Sequence, residues 1–279
     1  MNERFAALPA ALRAQSITTR LAGVPALVAH PDAGWDTDLR TSPKPRPIVI
    51  WMHGRTVNKE LDPGRYLRWI RAGIAACALD LPDHGERFAE GRQGSDATLE
   101  IVKQMAEELD DVTAALGDAQ WRGAFDVSRM AIGGMSAGGM ATLIRLCRPH
   151  PFRCACVEST AGDFSMMSRF MEFTSRGGRD ADGTLARELN PATHLDAWRP
   201  IPLLALHSEA DAWVPANAIR SFTNALRERY AALGADPSIV ELKTWETTGA
   251  PYEHAGFGRV AGEAKDAQLN FLRKWLIDR

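Results

Sequence analysis

The stretch GGMSAGG at residues 133–139 sets one hydroxyl, Ser136, among four glycines and an alanine. Inside it, Gly134-Met135-Ser136-Ala137-Gly138 fits G-x-S-x-G, the pattern of a serine nucleophile carried on a very sharp turn. Serine and glycine also build ordinary turns, so the stretch gains chemical meaning from its setting. The apolar run RMAIGGMS (129–136) reads as a strand and AGGMATLIRLCR (137–148) as a helix behind it. A strand that turns abruptly into a helix is the setting this nucleophile needs, and the helix amino terminus favours negative charge developing there. Side chains at 134 and 138 would collide with the neighbouring strand and helix, which accounts for both glycines.

A serine hydroxyl is a weak nucleophile. It needs a base, and the base needs an orienting carboxylate. On such a scaffold they follow in the order serine, acid, histidine, each just beyond a strand. LLALHSEADAWVP offers Asp211, with Glu209 as a competitor nearer the strand end, and PYEHAGF supplies His254 ahead of the last helix. Of the seven histidines, His254 alone lies in the expected place. His207 ends a strand and reads as a core residue. His150 and His194 read as surface residues, His30 lies near the N-terminal edge, and His53 and His84 belong to WMHGR and DLPDHGER. A tetrahedral intermediate also requires two backbone N–H donors. Ala137, next after the serine, supplies one. Arg55, after the turn allowed by Gly54, supplies the other. The Arg55 guanidinium either reaches the pocket mouth, favouring acidic or polar substrates, or faces solvent.

These residues must be positioned by alternating strands and helices. IVIWMHG (48–54), GIAACALDLP (73–82), RCACVES (153–159), IPLLALHS (201–208) and SIVELKTWE (238–246) read as further strands. Helices are expected at 58–72, 95–116, 216–232 and 263–277. Continuous apolar strands between helices imply an α/β fold with a mostly parallel sheet, covered by helices on both faces. Residues 17–31 fit an antiparallel hairpin at one edge. Residues 161–199 break the rhythm with Met166, Met167, Phe170, Met171 and Phe173 and are too long for an ordinary connection. We read them as a small lid insertion after the sixth core strand of a single domain, with Met167 and Phe170 as substrate-binding candidates. The bland alternative is a surface excursion that packs on itself.

The chain has 279 residues, 45% hydrophobic and 24% charged, with a net charge of −2. Mixed charge of this kind offers no broad attraction to nucleic acid or to an anionic membrane, so a small-molecule partner in a pocket is expected. The N-terminal residues lack a basic start and an apolar core, and no run is long enough to span a bilayer, which points to the cytoplasm. Assembly as a homodimer is compatible with this surface. Cys154 and Cys156 alternate along one strand and read as small packing residues; without a second Cys/His cluster, no metal site is expected.

With these segments in hand, residues 17–279 resemble the α/β-hydrolase superfamily. HGR looks like its oxyanion segment, DLPDHGER its Asp-x-x-x-His-Gly loop, and GMSAGG its nucleophile turn. HSEADAWVP is similar to its acid segment, favouring Asp211 over Glu209, and EHAGF to its histidine segment. Within the superfamily the chain resembles small serine esterases of the dienelactone-hydrolase-like and prolyl-oligopeptidase-like group. Serine replaces the cysteine of true dienelactone hydrolases, a departure that argues against that substrate. No propeller-like segment precedes the hydrolase region, so gating of large peptides is not expected. The resemblance implies a carboxylesterase acting on short acyl esters through Ser136, His254 and Asp211, with no cofactor and no metal. A peptidase or amidase, a thioesterase or acyltransferase, and a non-catalytic binding protein of the same fold are the alternatives.

Overall fold

The computed structural model describes residues 3–36, 43–167 and 183–278. Two short helices, α1 (Glu3–Ala6) and α2 (Ala10–Arg13), lead into the hairpin of β1 (Ser16–Leu21) and β2 (Val24–Ala29). The turn between them, Ala22-Gly23, runs through positive φ at both residues. The remaining strands are β3 (Arg46–Met52), β4 (Ala75–Leu79), β5 (Phe125–Met135), β6 (Cys154–Glu158), β7 (Leu203–Ser208) and β8 (Val240–Trp245). They form one sheet in the order β1-β2-β4-β3-β5-β6-β7-β8. The hairpin pairs antiparallel to β4, and the pairings from β4 onward are parallel. The expected α/β-hydrolase fold is therefore present.

The longer helices are α3 (Pro63–Arg71), α4 (Thr98–Ala115), α5 (Ala137–Leu146), α6 (Thr184–Leu189), α7 (Ala216–Ala232) and α8 (Ala261–Leu276). Two apolar clusters sandwich the sheet. One packs α4, α5 and α7 through residues such as Leu109, Leu143 and Phe222. The other packs α3 and α8 through Trp69, Phe271 and Leu272. β4, β6 and β7 are buried along their whole length, which is why they read as unbroken apolar runs rather than alternating ones.

Helix α3 starts later than the expected 58–72. Pro63 lacks an N–H and suits the first helical position, while Asp62 caps the turn by accepting from the Arg65 N–H at 3.3 Å. The expected helix 95–116 opens with a 3-10 turn, Ser95–Ala97, before α4 proper. Within 161–199, residues 168–182, including Phe170, Met171 and Phe173, lie outside the described residues. The flanks are fastened together by Asn190, whose Oδ1 accepts from Phe164 N at 3.0 Å and whose Nδ2 donates to Asp163. Phe164, Met167 and Leu189 sink into the core cluster of α4, α5 and α7. Cys154 and Cys156 are buried and free, and burial pushes both thiols up. Among the described residues, no helix is long and apolar enough to cross a membrane.

Candidate active site

β5 ends at Met135 and α5 begins at Ala137, which leaves Ser136 alone in the turn at φ 52°, ψ −117°. A non-glycine residue held there costs on the order of 1–3 kcal/mol and persists only where its surroundings enforce it. The surroundings do so through contacts that a Cβ would abolish. A Cβ on Gly134 would lie 2.4 Å from the Gly138 carbonyl carbon, and one on Gly138 2.4 Å from the Met52 carbonyl oxygen. On Gly133 it would strike the Cys156 carbonyl oxygen at 2.2 Å, and on Gly139 the Thr160 side chain at 2.7 Å. Hydrogen bonds complete the grip: Ser136 N donates to Glu158 O and Thr160 Oγ1 donates to Ser136 O, each at 2.8 Å.

The structure brings Ser136, His254 and Asp211 into one row. Ser136 Oγ is 2.9 Å from His254 Nε2, and His254 Nδ1 is 2.8 Å from Asp211 Oδ2. A carboxylate can only accept here, so the proton sits on Nδ1 and Nε2 is left to accept from the serine hydroxyl. Asp211 Oδ1 accepts from Trp213 N and Val214 N, both at 2.8 Å, which fixes the carboxylate plane. Glu209 turns away and pairs with Arg220, which holds its carboxyl below the usual carboxylate range. His207 is fully buried and bonds through Nε2 to Val214 O at 2.9 Å, and burial lowers its pKa.

A cavity of about 750 Å³ opens over this row. Its walls include Gly54, Arg55, Ala137, Met140, Met167 and Trp213. Gly54 lies against the serine, since a Cβ there would come 3.4 Å from Ser136 Cβ. The half-buried Arg55 guanidinium lies along the cavity wall. It donates from Nη1 to Thr98 Oγ1 at 2.6 Å and from Nη2 to Gln93 O, two residues that also line the cavity. The strand-end histidine before it is locked as well: His53 Nδ1 donates to Gly54 O and Nε2 accepts from Leu81 N. Among the described residues, no group of three or more His, Cys, Asp or Glu side chains is placed to hold a metal ion.

Residues 96–276, more than half of the chain, match the prolyl oligopeptidase family. The chain belongs to that family. It is 28% identical over 264 residues to Esterase YjfP of Escherichia coli K12, covering 92% of this chain and 97% of that protein. Among solved structures, TT1662 from Thermus thermophilus superposes with a TM-score of 0.65 at 22% identity, over 95% of this chain and all of that one. A puromycin-hydrolyzing peptidase of Mycobacterium tuberculosis gives 0.70 at 22% identity, over 96% of this chain and 40% of that one. The chain is thus a serine hydrolase of the α/β-hydrolase superfamily, and the binding-protein alternative falls.

In this serine hydrolase several residues around the row escape a reading of motifs. Tyr252 and Glu253, directly before His254, both run through positive φ, 55° and 53°. The Glu253 carboxylate holds them there, accepting from Thr248 N, Thr248 Oγ1, Gly249 N and Ser208 Oγ at 2.5–2.8 Å. These bonds, led by Thr248 N–H, lower its pKa to about 2. The Trp213 ring lies against His254, tilted at 43° with ring centroids 5.0 Å apart. Beneath the turn, Arg65 makes two bonds to Glu158, 2.6 and 2.8 Å, and a third to Gln268. Full burial works against the Arg65 charge, but Glu158 and Asp62 hold it on. The acid beside His254 in PYEHAGF was the one available signal for Glu253; Arg65 sits in a helix whose pattern gives no hint of a buried ion pair.

Proposed function

We propose that the protein is a carboxylesterase that cleaves short-chain acyl esters through a Ser136-His254-Asp211 triad. The carrying observation is the hydrogen-bonded row at 2.9 and 2.8 Å, opening on the cavity. Ser136 Oγ attacks the ester carbonyl while His254 Nε2 takes its proton. Asp211 holds the Nδ1–H tautomer and stabilises the imidazolium. The Ala137 and Arg55 backbone N–H groups receive the oxyanion. His254 then protonates the leaving alcohol, and a water activated the same way releases the acid from the acyl-enzyme. No cofactor enters this scheme. Ester rather than amide chemistry is supported by the likeness to Esterase YjfP along nearly the full length of both chains. In this reading Met167, on the cavity wall, bounds the acyl end.

A peptidase reading has its own support in the prolyl oligopeptidase family match. Both readings meet one experiment. A fluorophosphonate probe should label Ser136, located by peptide mass spectrometry, and Ser136→Ala should remain unlabelled. 4-Nitrophenyl acetate and butyrate should be hydrolysed and aminoacyl 4-nitroanilides left intact. Faster cleavage of the anilides would hand the site to the peptidase reading.

A further inference from the structure

Among the described residues, three cations line the cavity: Arg55, Arg65 and Lys265. Arg65 is neutralised by Glu158 at 2.6 Å and Asp62 at 3.1 Å, and Lys265 by Asp62 at 2.7 Å. Arg55 differs. Its partners, Thr98 Oγ1 and the Gln93 carbonyl, are neutral, and its Nε is enclosed without a hydrogen bond. Among the described residues no carboxylate pairs with it; Asp96 acts on it only through space. The two acids of the cavity wall among the described residues, Asp62 and Glu158, are already committed to Arg65 and Lys265. Among the described residues, Arg55 is therefore the cavity's cation without a paired carboxylate, and it sits one residue from Gly54, which packs on Ser136.

Desolvating a guanidinium without a counter-ion is costly unless something offsets it. Two of its five N–H groups are used, which leaves donors to meet an anion. The Thr98 hydroxyl donates to Ser95 O at 2.7 Å, so its lone pair is turned to Arg55 and the guanidinium is held in place before any ligand arrives.

We infer that Arg55 recognises an anionic group on the substrate, so that the preferred esters carry a carboxylate. The inference rests on the esterase reading and narrows its substrate class. The carboxylate replaces water around the guanidinium and forms charge-assisted hydrogen bonds while Ser136 attacks the ester carbonyl.

The test compares charged and neutral partners of matched size. Mono(4-nitrophenyl) glutarate is set against 4-nitrophenyl pentanoate, which places the anion on the acyl side. 4-Acetoxybenzoate is set against phenyl acetate, which places it on the alcohol side. For wild-type protein, kcat/KM of the charged member should exceed that of the neutral one by ten- to a hundredfold in one pair, as expected for charge-assisted hydrogen bonds. Because the Arg55 N–H also serves the oxyanion, variants are compared by this ratio and not by absolute rate. Arg55→Gln should erase the ratio, and Arg55→Lys should keep part of it. In wild type alone, the preference should shrink as salt rises. Neutral esters preferred in both pairs, a ratio untouched by Arg55→Gln, or a preference indifferent to salt would each overturn the inference. A separate readout covers failure of the ester chemistry itself: glutarate or benzoate should slow fluorophosphonate labelling of Ser136 in wild type and not in Arg55→Gln. Protection without ester turnover would keep the anion site and sink the esterase, and no protection would remove the anion site.

Discussion

At the scale of single residues, the site is an arrangement of proton positions. Asp211 uses Oδ1 for two backbone N–H groups and Oδ2 for His254. In Asp211→Asn the oxygen stays with Trp213 and Val214, and the amide nitrogen faces His254 Nδ1. The imidazole must then carry its proton on Nε2, where it cannot accept from Ser136. We expect kcat for 4-nitrophenyl acetate to fall on the order of 10³–10⁴-fold with the circular dichroism spectrum unchanged. Glu209→Gln, which only loosens a partly exposed pair with Arg220, should stay within twofold. Glu253 is different, because its carboxylate serves the backbone. Its folded pKa, about 2, lies below the ordinary value of 4.5, so its contribution to stability is complete above 4.5 and is lost as pH falls towards 2. The melting temperature of wild type should exceed that of Glu253→Gln at pH 6, and the gap should close between pH 4.5 and 2. A gap at pH 2 as wide as at pH 6 would mean the glutamate acts by packing and not by charge.

At the scale of elements, the strand β5, the lone Ser136 and helix α5 were legible because their glycines answer a steric demand that any chain folding this way must meet. Gly138→Ala would place its Cβ 2.4 Å from the Met52 carbonyl, and backbone cannot swing aside as a side chain can. We expect a loss of about 2–3 kcal/mol or more in urea unfolding, together with loss of fluorophosphonate labelling. Gly262, in the first turn of α8, has nothing within 4 Å of its ideal Cβ, and Gly262→Ala should be neutral to about 0.5 kcal/mol stabilising. The tie between α3, β6 and α8 was not legible. Arg65 lies on a helix face that a pattern reader assigns to solvent or to snorkelling, and Glu158 closes an apolar strand; only the fold shows that they meet under Ser136. Arg65→Met leaves Glu158 buried and uncompensated, for an expected cost of about 3–5 kcal/mol. The start of α3 was also misplaced, because Asp62-Pro63 is a helix opening that apolar periodicity does not register.

At the scale of the whole molecule, strands deliver Ser136, Asp211 and His254 to one edge of the sheet, and the described part of the segment following β6 meets the cavity at Met167. Met167 is only 3% exposed, packs in the core of α4, α5 and α7, and lines the space above Ser136. If it sets the end of the acyl site, trimming it should let longer chains in. Each methylene that gains an apolar contact is worth about 0.8 kcal/mol, or roughly fourfold in kcat/KM. Met167→Ala should therefore move the acyl-length optimum of 4-nitrophenyl esters upward by two or three carbons, while Met167→Trp should confine activity to acetate. Removing so much buried volume will also lower stability, by about 2–5 kcal/mol, so the chain-length series is read as ratios between substrates at a temperature where the variant is folded. A lowered melting temperature with an unmoved optimum would leave Met167 as core alone and place the acyl boundary elsewhere along the cavity.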